Sequence, residues 1–384
     1  MQAAVWGAGH YGKFLTERFS HSDKVKIVCY VDNAVGMKRD LPVISCEELK
    51  NKWKKEIDEV FIAVSDYYAI GDIILQLHDA GIFHILIAKP ELWNLQNERW
   101  NITIEEIWSK YVYELNIEEK AVITKLEYHV CDMCNLNCKG CSHFAPIFNH
   151  QLPSIDDFRK DMNQLSKRFS NILRLRLMGG EPFLNKELPS FIMEARKAFP
   201  YSHLEIVTNG LLLETADRDI WNVIKECSAV LQISLYPPTY AIQDKLAKFL
   251  KERDVTFSFG SGLEQYNDKG IIEEFHKNLT KTRVHNPDDA IKYCMGNRCH
   301  YLRDGKISKC ALPLLASKIN QYFGTEYIVE QEDIIDIYEE TLSAWEIVEK
   351  LHKATPFCGY CITDRPVRFS WAAHGQVDFS DYVV

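Results

Sequence analysis

Twelve cysteines are spread over 384 residues, and three of them crowd one short stretch. Cys134, Cys138 and Cys141 are separated by three and then by two residues. A tetrahedral structural zinc site takes four ligands, commonly from two short cysteine or histidine pairs. Three close thiolates suit instead a cubane iron–sulfur cluster that leaves one iron without a protein ligand. Such an open iron can bind a small molecule through amino and carboxylate groups. A zinc knuckle that also uses Cys131 or His143 is the other reading of these residues. Further on, Leu175–Met178 reads as a strand that stops in the tight loop Gly179, Gly180, Glu181 and Pro182. Glycines there let the backbone approach a ligand closely. A second cysteine group lies near the C-terminus. Cys299 and Cys310 bracket a β-hairpin that turns at Asp304 and Gly305, and Cys358 and Cys361 follow as a Cys-x-x-Cys pair. Four such thiolates can close around a cluster or a zinc ion, and Cys294 could take the place of Cys299.

The cysteine loop followed by the Gly-Gly-Glu-Pro loop resembles the radical S-adenosylmethionine (SAM) superfamily. That resemblance implies a [4Fe-4S] cluster on Cys134, Cys138 and Cys141, with SAM chelated at the open iron. It implies one-electron cleavage of the SAM carbon–sulfur bond to a 5′-deoxyadenosyl radical, the cofactor carrying the difficult step while the protein binds and orients. Gly179, Gly180 and Glu181 match the loop that holds the methionyl end. Thr208, Asn209 and Ser234 lie where the family contacts the ribose or carboxylate, although strand-end residues of these types also serve as caps and turns. The residue before the last cluster cysteine is usually aromatic in the family, whereas here it is Gly140. Packing beside the adenine then falls to another residue, with Phe144 and His143 as candidates. The C-terminal group resembles a Twitch domain, the shortened SPASM domain, which implies an auxiliary [4Fe-4S] cluster on Cys299, Cys310, Cys358 and Cys361.

The auxiliary cluster divides the mechanisms that the resemblance allows. In dehydrogenases it accepts an electron from a substrate radical while a base removes a proton. In epimerases a free thiol returns a hydrogen atom. Cys131, Cys227 and Cys294 are spare for that role, although a free cysteine is usually a small buried hydrophobe. Tyr236 and His374 are candidate acids or bases.

The elements that position these groups read as α/β throughout. Residues 1–92 form a Rossmann-like unit. Ala3–Trp6 is a strand, Gly7, Gly9 and Gly12 form the turn, Lys13–Phe19 is helical, and Val25–Val31 is a strand closed by Asp32. Asp32 stands about 20 residues past the glycines, as in a dinucleotide-binding fold. Glu59–Val64 and His84–Ala88 are further strands, with a helix over Ile70–Ala80 between them. The unit resembles the front domain of sugar N-acetyltransferases, which binds a nucleotide sugar. Nucleotide-sugar binding, NAD binding and a scaffold role are the alternatives. Residues 93–123 read as a helical linker packed by Trp93, Trp100 and Trp108. Residues 124–290 read as a partial (β/α)6 TIM-like barrel. Its strands are Leu126–Val130, Leu173–Met178, Leu204–Val207, Val230–Leu235 and Val255–Phe259. Helices are expected over Ser154–Phe169, Leu188–Phe199 and Thr239–Lys251. Each candidate ligand group falls at a strand's C-terminal end, where such barrels concentrate their chemistry. Residues 291–384 form the small cysteine-rich Twitch/SPASM-like domain.

Composition narrows the partners. A formal net charge of −9 without a basic stripe argues against nucleic acid. No apolar run reaches the length of a membrane span. The start at a strand-like segment, without a signal peptide, and the many cysteines point to a reducing, cytoplasmic setting. The expected function is radical SAM oxidation, epimerisation or dehydration of a sugar or nucleotide sugar, fed by a flavodoxin- or ferredoxin-type electron donor. The alternative is maturation of a ribosomal peptide or protein.

Overall fold

The computed structural model describes residues 1–20, 22–34, 36, 39–93, 95, 102–148, 152–260, 274–294, 296–373 and 375–384. The chain divides into two compact units, residues 1–124 with 167–173, and residues 125–166 with 174–384.

The first unit is built on β1 (Gln2–Trp6), β2 (Lys26–Val31), β3 (Val43–Ile44), β4 (Glu59–Ile62), β5 (His84–Ala88) and β6 (Val112–Asn116), in the order β3-β2-β1-β4-β5-β6. The first five strands pair in parallel and β6 runs antiparallel to β5. β1 and β4 are nearly continuous apolar runs, as strands covered on both faces must be. Helices His10–Phe19 and Tyr67–Asp79 follow β1 and β4. Phe14, Leu15, Phe61, Leu86 and Trp93 form the buried core, with Tyr11 stacked on Trp93 at 4.4 Å. The strand order reverses at β1, which has β2 on one side and β4 on the other. Open α/β sheets bind ligands at the strand ends of such a switch point.

The expected helical linker is helical only in part. Turns over Ile104–Tyr111 lead into β6, whose Tyr113 and Leu115 face inward while Glu114 and Asn116 face out. That alternation is the signature of an edge strand. Trp93 and Trp108 do pack on the core, and Trp100 lies outside the described residues.

The second unit carries β7 (Ala121–Cys131, from Lys125 onward), β8 (Phe169–Gly179, from Arg174 onward), β9 (His203–Thr208), β10 (Val230–Ile233), β11 (Phe257–Phe259), β12 (Glu274–Lys277), β13 (His300–Arg303), β14 (Lys306–Ser308), β15 (Ile334–Asp336) and β16 (Val367–Ser370). The main sheet runs β11-β10-β9-β8-β7-β13-β14-β15. Helices Ile155–Arg168, Leu188–Ala198, Arg218–Glu226 and Gln243–Glu252 intervene. Strand β7 shows how the sheet is sided. Tyr128 faces outward onto Phe158 and Phe191 of two helices, so Lys125, Glu127 and His129 face the other way. β13 joins β7 in parallel and turns back as β14 through Asp304 and Gly305, whose φ values are +51 and +72. Two left-handed residues make the primed two-residue hairpin that Asp-Gly predicts. β12 and β16 form a separate antiparallel ribbon. Among the described residues no helix is long and apolar enough to cross a membrane.

Candidate functional site

β7 ends at the cysteine loop and β8 ends at Gly179, so neighbouring strands deliver the two motifs to one edge. Two backbone hydrogen bonds join them. Gly180 N–H donates to the Cys131 carbonyl and Glu181 N–H to the Met133 carbonyl, each at 2.7 Å. A Cβ on Gly179 or Gly180 would stand 2.0 Å from those same carbonyl oxygens. Any side chain there would force the loops apart.

The Glu181 carboxylate is fully buried. Its Oε1 accepts the Thr208 hydroxyl at 2.7 Å and the Phe183 N–H at 3.2 Å, and its Oε2 accepts the Asn209 N–H at 2.8 Å. Burial pushes its pKa up to about 7 in spite of those bonds. The Asn209 amide donates to Asn135 Oδ1 at 2.7 Å and reaches Cys134 Sγ at 3.8 Å. Thr239 holds the Asn209 carbonyl at 2.6 Å. Ser234 is buried at the end of β10, with its N–H on the Thr208 carbonyl. Glu181, Thr208, Asn209 and Cys134 thus meet in one place, with Ser234 on the adjoining strand end.

The three loop cysteines show what they suit. Burial raises the pKa of Cys134 and, further, that of Cys138, and takes Cys141 up to about 11. Neighbouring thiols add to the effect at Cys138 and Cys141, and the Glu181 charge adds to it at Cys134. Thiols raised in this way keep their protons unless a cationic group binds them and favours the thiolate. Cys134 Sγ accepts the Leu136 N–H at 3.5 Å, and Cys138 Sγ accepts the Trp371 indole N–H at 3.2 Å. N–H donors to sulfur are a recurring way of tuning an iron–sulfur cluster. Among the described residues no three His, Cys, Asp or Glu side chains are gathered as the ligands of a metal ion. The fit to a cluster therefore rests on the soft donor set, its spacing and these N–H groups.

Other candidates are placed elsewhere. Cys131 is buried beside the loop with its thiol 3.5 Å from the Met133 carbonyl, and burial pushes its pKa up to about 11. Cys227 ends helix Arg218–Glu226 ahead of β10, at the opposite end of that strand from Ser234. Phe144 lies in the C-terminal core, stacked on Tyr382 at 4.4 Å. His143 is engaged by His129 at 2.8 Å, and His129 in turn by Asp132 at 3.3 Å. Tyr236 faces Phe275 and Trp371. His374 lies outside the described residues.

Near the C-terminus, burial raises Cys310 well above an ordinary thiol, and Cys294, Cys361 and Cys358 raise it further. Cys361 is raised in the same way by burial, Cys294 and Cys358. Cys299 also raises Cys294, and it accepts the Lys125 ammonium at 2.9 Å.

That lysine opens a network the motifs gave no hint of. Lys125 lies 3.1 Å from Glu127, Arg176 binds Glu127 at 2.6 Å and Glu205 at 3.0 Å, and Arg174 binds Glu205 at 2.6 Å. Burial opposes the Glu127 charge, yet Lys125 and Arg176 bring its pKa down to about 2. The signal was present as polar residues at every second place, Lys125, Glu127 and His129 on β7 and Arg174 and Arg176 on β8.

In the first unit, Gly7 and Asp32 line a cavity of about 240 Å³ together with Trp6, Val64, Asp72 and Gln76. Asp32 accepts the Ala8 and Ala34 N–H groups, one on each oxygen, at 2.8 and 2.9 Å. Gly9 stands at the N-terminus of helix His10–Phe19, and Gly12 lies within it.

Residues 128–295 match the family model of the radical SAM superfamily. The chain is 32% identical over 101 residues to a GTP 3′,8-cyclase of Clostridium acetobutylicum, covering 26% of this chain and 31% of that protein. It is 30% identical over 89 residues to a 7,8-dihydro-6-hydroxymethylpterin dimethyltransferase of Methanocaldococcus jannaschii, covering 22% and 17%. The chain thus spans less than a third of the length of either relative. Among solved structures, BtrN in complex with AdoMet and 2-DOIA is similar at 16% identity and a TM-score of 0.37, over 62% of this chain and 84% of that one. The matched segment contains the cysteine loop, the Gly-Gly-Glu-Pro loop and the strand ends bearing Thr208, Asn209 and Ser234, and by that match the chain carries a domain of the radical SAM superfamily.

Proposed function

We propose that this chain binds SAM on a [4Fe-4S] cluster held by Cys134, Cys138 and Cys141, and abstracts hydrogen from a sugar or nucleotide sugar. The observation that carries the reading is the buried Glu181 carboxylate, joined to Thr208 and Asn209, with the Asn209 amide reaching Cys134. When bound, the cluster and SAM together supply one-electron cleavage of a carbon–sulfur bond and a carbon radical. The protein's part is recognition. Glu181 accepts the methionyl amino group, whose positive charge offsets the cost of ionising a buried acid. Gly179 and Gly180 keep the backbone close, and Asn209 and Ser234 offer hydrogen bonds to the carboxylate or ribose.

The C-terminal thiols support an auxiliary [4Fe-4S] cluster on Cys294, Cys310, Cys358 and Cys361. Cys310 and Cys361 both feel Cys294 and Cys358, while Cys299 acts on Cys294 alone of these and is bound by Lys125. Cys294→Ser should halve the iron of the reconstituted protein, and Cys299→Ser should leave it whole. The reverse result would restore Cys299 as the ligand.

The substrate class draws on the first unit and on the relatives. Asp32, Asp72 and Gln76 give its cavity acceptors suited to ribose or sugar hydroxyls, and the helix start at Gly9 suits a phosphate. The GTP 3′,8-cyclases are named for a nucleotide substrate. We take residues 1–92 as a Rossmann-like nucleotide-sugar module, residues 124–290 as the radical barrel, and residues 291–384 as the auxiliary cluster region, with a flavodoxin- or ferredoxin-type protein as electron donor.

The test is anaerobic 5′-deoxyadenosine formation from SAM and reductant, run with nucleotide sugars, free aminosugars and peptides against a no-substrate baseline. Stimulation by a sugar or nucleotide sugar is expected. Stimulation by peptides alone would move the enzyme to peptide maturation, and absence of any SAM cleavage would overturn the radical reading.

A further inference from the structure

Gly140 stands directly before Cys141 with φ at +61. A Cβ there would lie 2.4 Å from Phe369 Cζ and 2.9 Å from the Asp381 carbonyl oxygen. The space a side chain would use at this point of the loop is filled by a ring from β16, more than two hundred residues downstream. Phe369 has company. Across the β12–β16 ribbon it meets Phe275 edge-on at 6.1 Å, and Phe275 meets Tyr236 edge-on at 6.0 Å. Tyr236 lies 6.2 Å from Trp371, whose indole N–H donates to Cys138 Sγ at 3.2 Å. The four rings therefore form a chain that begins at Gly140 and returns to the same loop at Cys138.

Two features separate this group from ordinary core packing. All four rings are only partly buried, whereas Phe144 and Tyr301 close by in the fold are buried. The group also lies where a bound nucleoside would extend. Glu181, Asn209 and Ser234 mark the ends of β8, β9 and β10 in order, and Tyr236 comes two residues after Ser234. Neighbouring strands stand about 4.8 Å apart, so a ligand crossing from β8 to β10 spans roughly 10 Å, the scale of a nucleoside. A purine presents a flat apolar face that aromatic side chains bind without regard to sequence or charge.

We infer that the adenine of SAM packs against this aromatic group, with Phe369 as the ring that replaces a side chain at Gly140 and Trp371 as its brace on Cys138. The inference rests on the SAM site proposed above and names the residues of this chain that complete it. Phe369 is a positioning residue contributed by the C-terminal ribbon, not by the cysteine loop.

The experiment is equilibrium dialysis of SAM and, separately, of methionine against anaerobically reconstituted protein, with iron counted in each preparation. Methionine carries the amino and carboxylate groups but no base. Phe369→Ala should weaken SAM about tenfold, the scale of one stacked base, and leave methionine affinity and iron unchanged. Phe369→Tyr should bind SAM like the wild type. Phe369→Leu keeps apolar volume without an aromatic face, and it should also lose SAM affinity while holding its iron. This variant decides the matter where the alanine substitution loosens the loop. Unchanged SAM affinity in the Leu variant, or an equal loss for methionine and SAM, overturns the inference. Wild-type protein that binds no SAM would remove the SAM site itself, a failure that the variants alone cannot produce.

Discussion

The turn after β1 and the turn after β8 are both built on glycine and both have an acid at hand. In the first, Gly12 has no room for a side chain, since a Cβ would stand 1.8 Å from the Gly7 carbonyl oxygen, while Gly9 has nothing within 4 Å. Its acid, Asp32, is partly exposed and ties the turn to itself through Ala8 and Ala34. In the second, both glycines press on carbonyls of the cysteine loop, and Glu181 is buried with its bonds reaching the next strand. A helix must lie flat on a strand in the first case, and three strand ends must converge in the second. Glycine spacing alone reports close approach. The surroundings of the acid tell whether the approach makes a site.

The largest effect should come from the cluster side of the second turn. Cys134→Ala is expected to abolish SAM cleavage and to halve the iron, leaving about four atoms per chain on the auxiliary set. Cleavage that survives the substitution would detach the Gly-Gly-Glu-Pro loop from any cluster chemistry. Next comes a direct contrast of the turns by denaturant unfolding. Gly180→Ala should cost about 2–3 kcal/mol, because the methyl meets the Met133 carbonyl and the loops must part. Gly9→Ala should cost less than about 1 kcal/mol, since its Cβ enters open space. Equal costs would erase the distinction.

Glu181→Gln should weaken SAM binding about tenfold or more, by removing a charge-assisted contact. It should also change the pH profile of stability. The native pKa is raised, so the folded state holds its proton more tightly than the unfolded chain does. Stability contributed by this group is full below the ordinary carboxylate value and is lost as pH rises through about 7. The Gln variant should lack that downward slope between roughly pH 4.5 and 7. A slope identical in both proteins would mean that the buried acid does not titrate there. Of the two acids, Asp32 should matter less, since in Asp32→Asn a neutral side chain still accepts one N–H. Its stability should fall by about 1 kcal/mol, and calorimetric binding of a nucleotide sugar should weaken if the cavity is a binding site. Binding untouched by the change would leave the first turn a packing device.

The meeting of the cysteine loop with the Gly-Gly-Glu-Pro loop could be expected from residue types, because each motif follows a strand-like run. Asp304 with Gly305 could be expected from the handedness of a hairpin turn. What escaped depends on distant chain. The buried ion pairs of Lys125, Glu127, Arg176 and Glu205 look in sequence like a solvent-facing stripe, because alternation says which residues share a face and not what that face meets. Cys294 and Cys299 stand five residues apart, and nothing in the sequence hints that Cys299 would also accept the ammonium of Lys125, a residue 174 positions earlier. Phe144 is near the cysteines in sequence and was a reasonable neighbour for adenine, yet its backbone turns into the left-handed region and its ring enters the C-terminal core. β6 was hidden because five residues of alternation between helical turns are too few to stand out.

The C-terminal segment that leans on the cysteine loop also sets a clock. Cys138 pairs with Ala373, the Lys139 N–H bonds the Ala372 carbonyl, and Trp371 covers a sulfur 233 residues earlier in the chain. A ribosome adds about 5–20 residues per second, so the three thiols emerge roughly 10 to 50 seconds before the segment that caps Cys138 is made. For that interval they stand open to oxygen and to whatever metal arrives first. On the cluster reading proposed above, iron reaches these thiols most easily within that interval, so iron supplied during translation should give more iron per chain than the same iron supplied after folding.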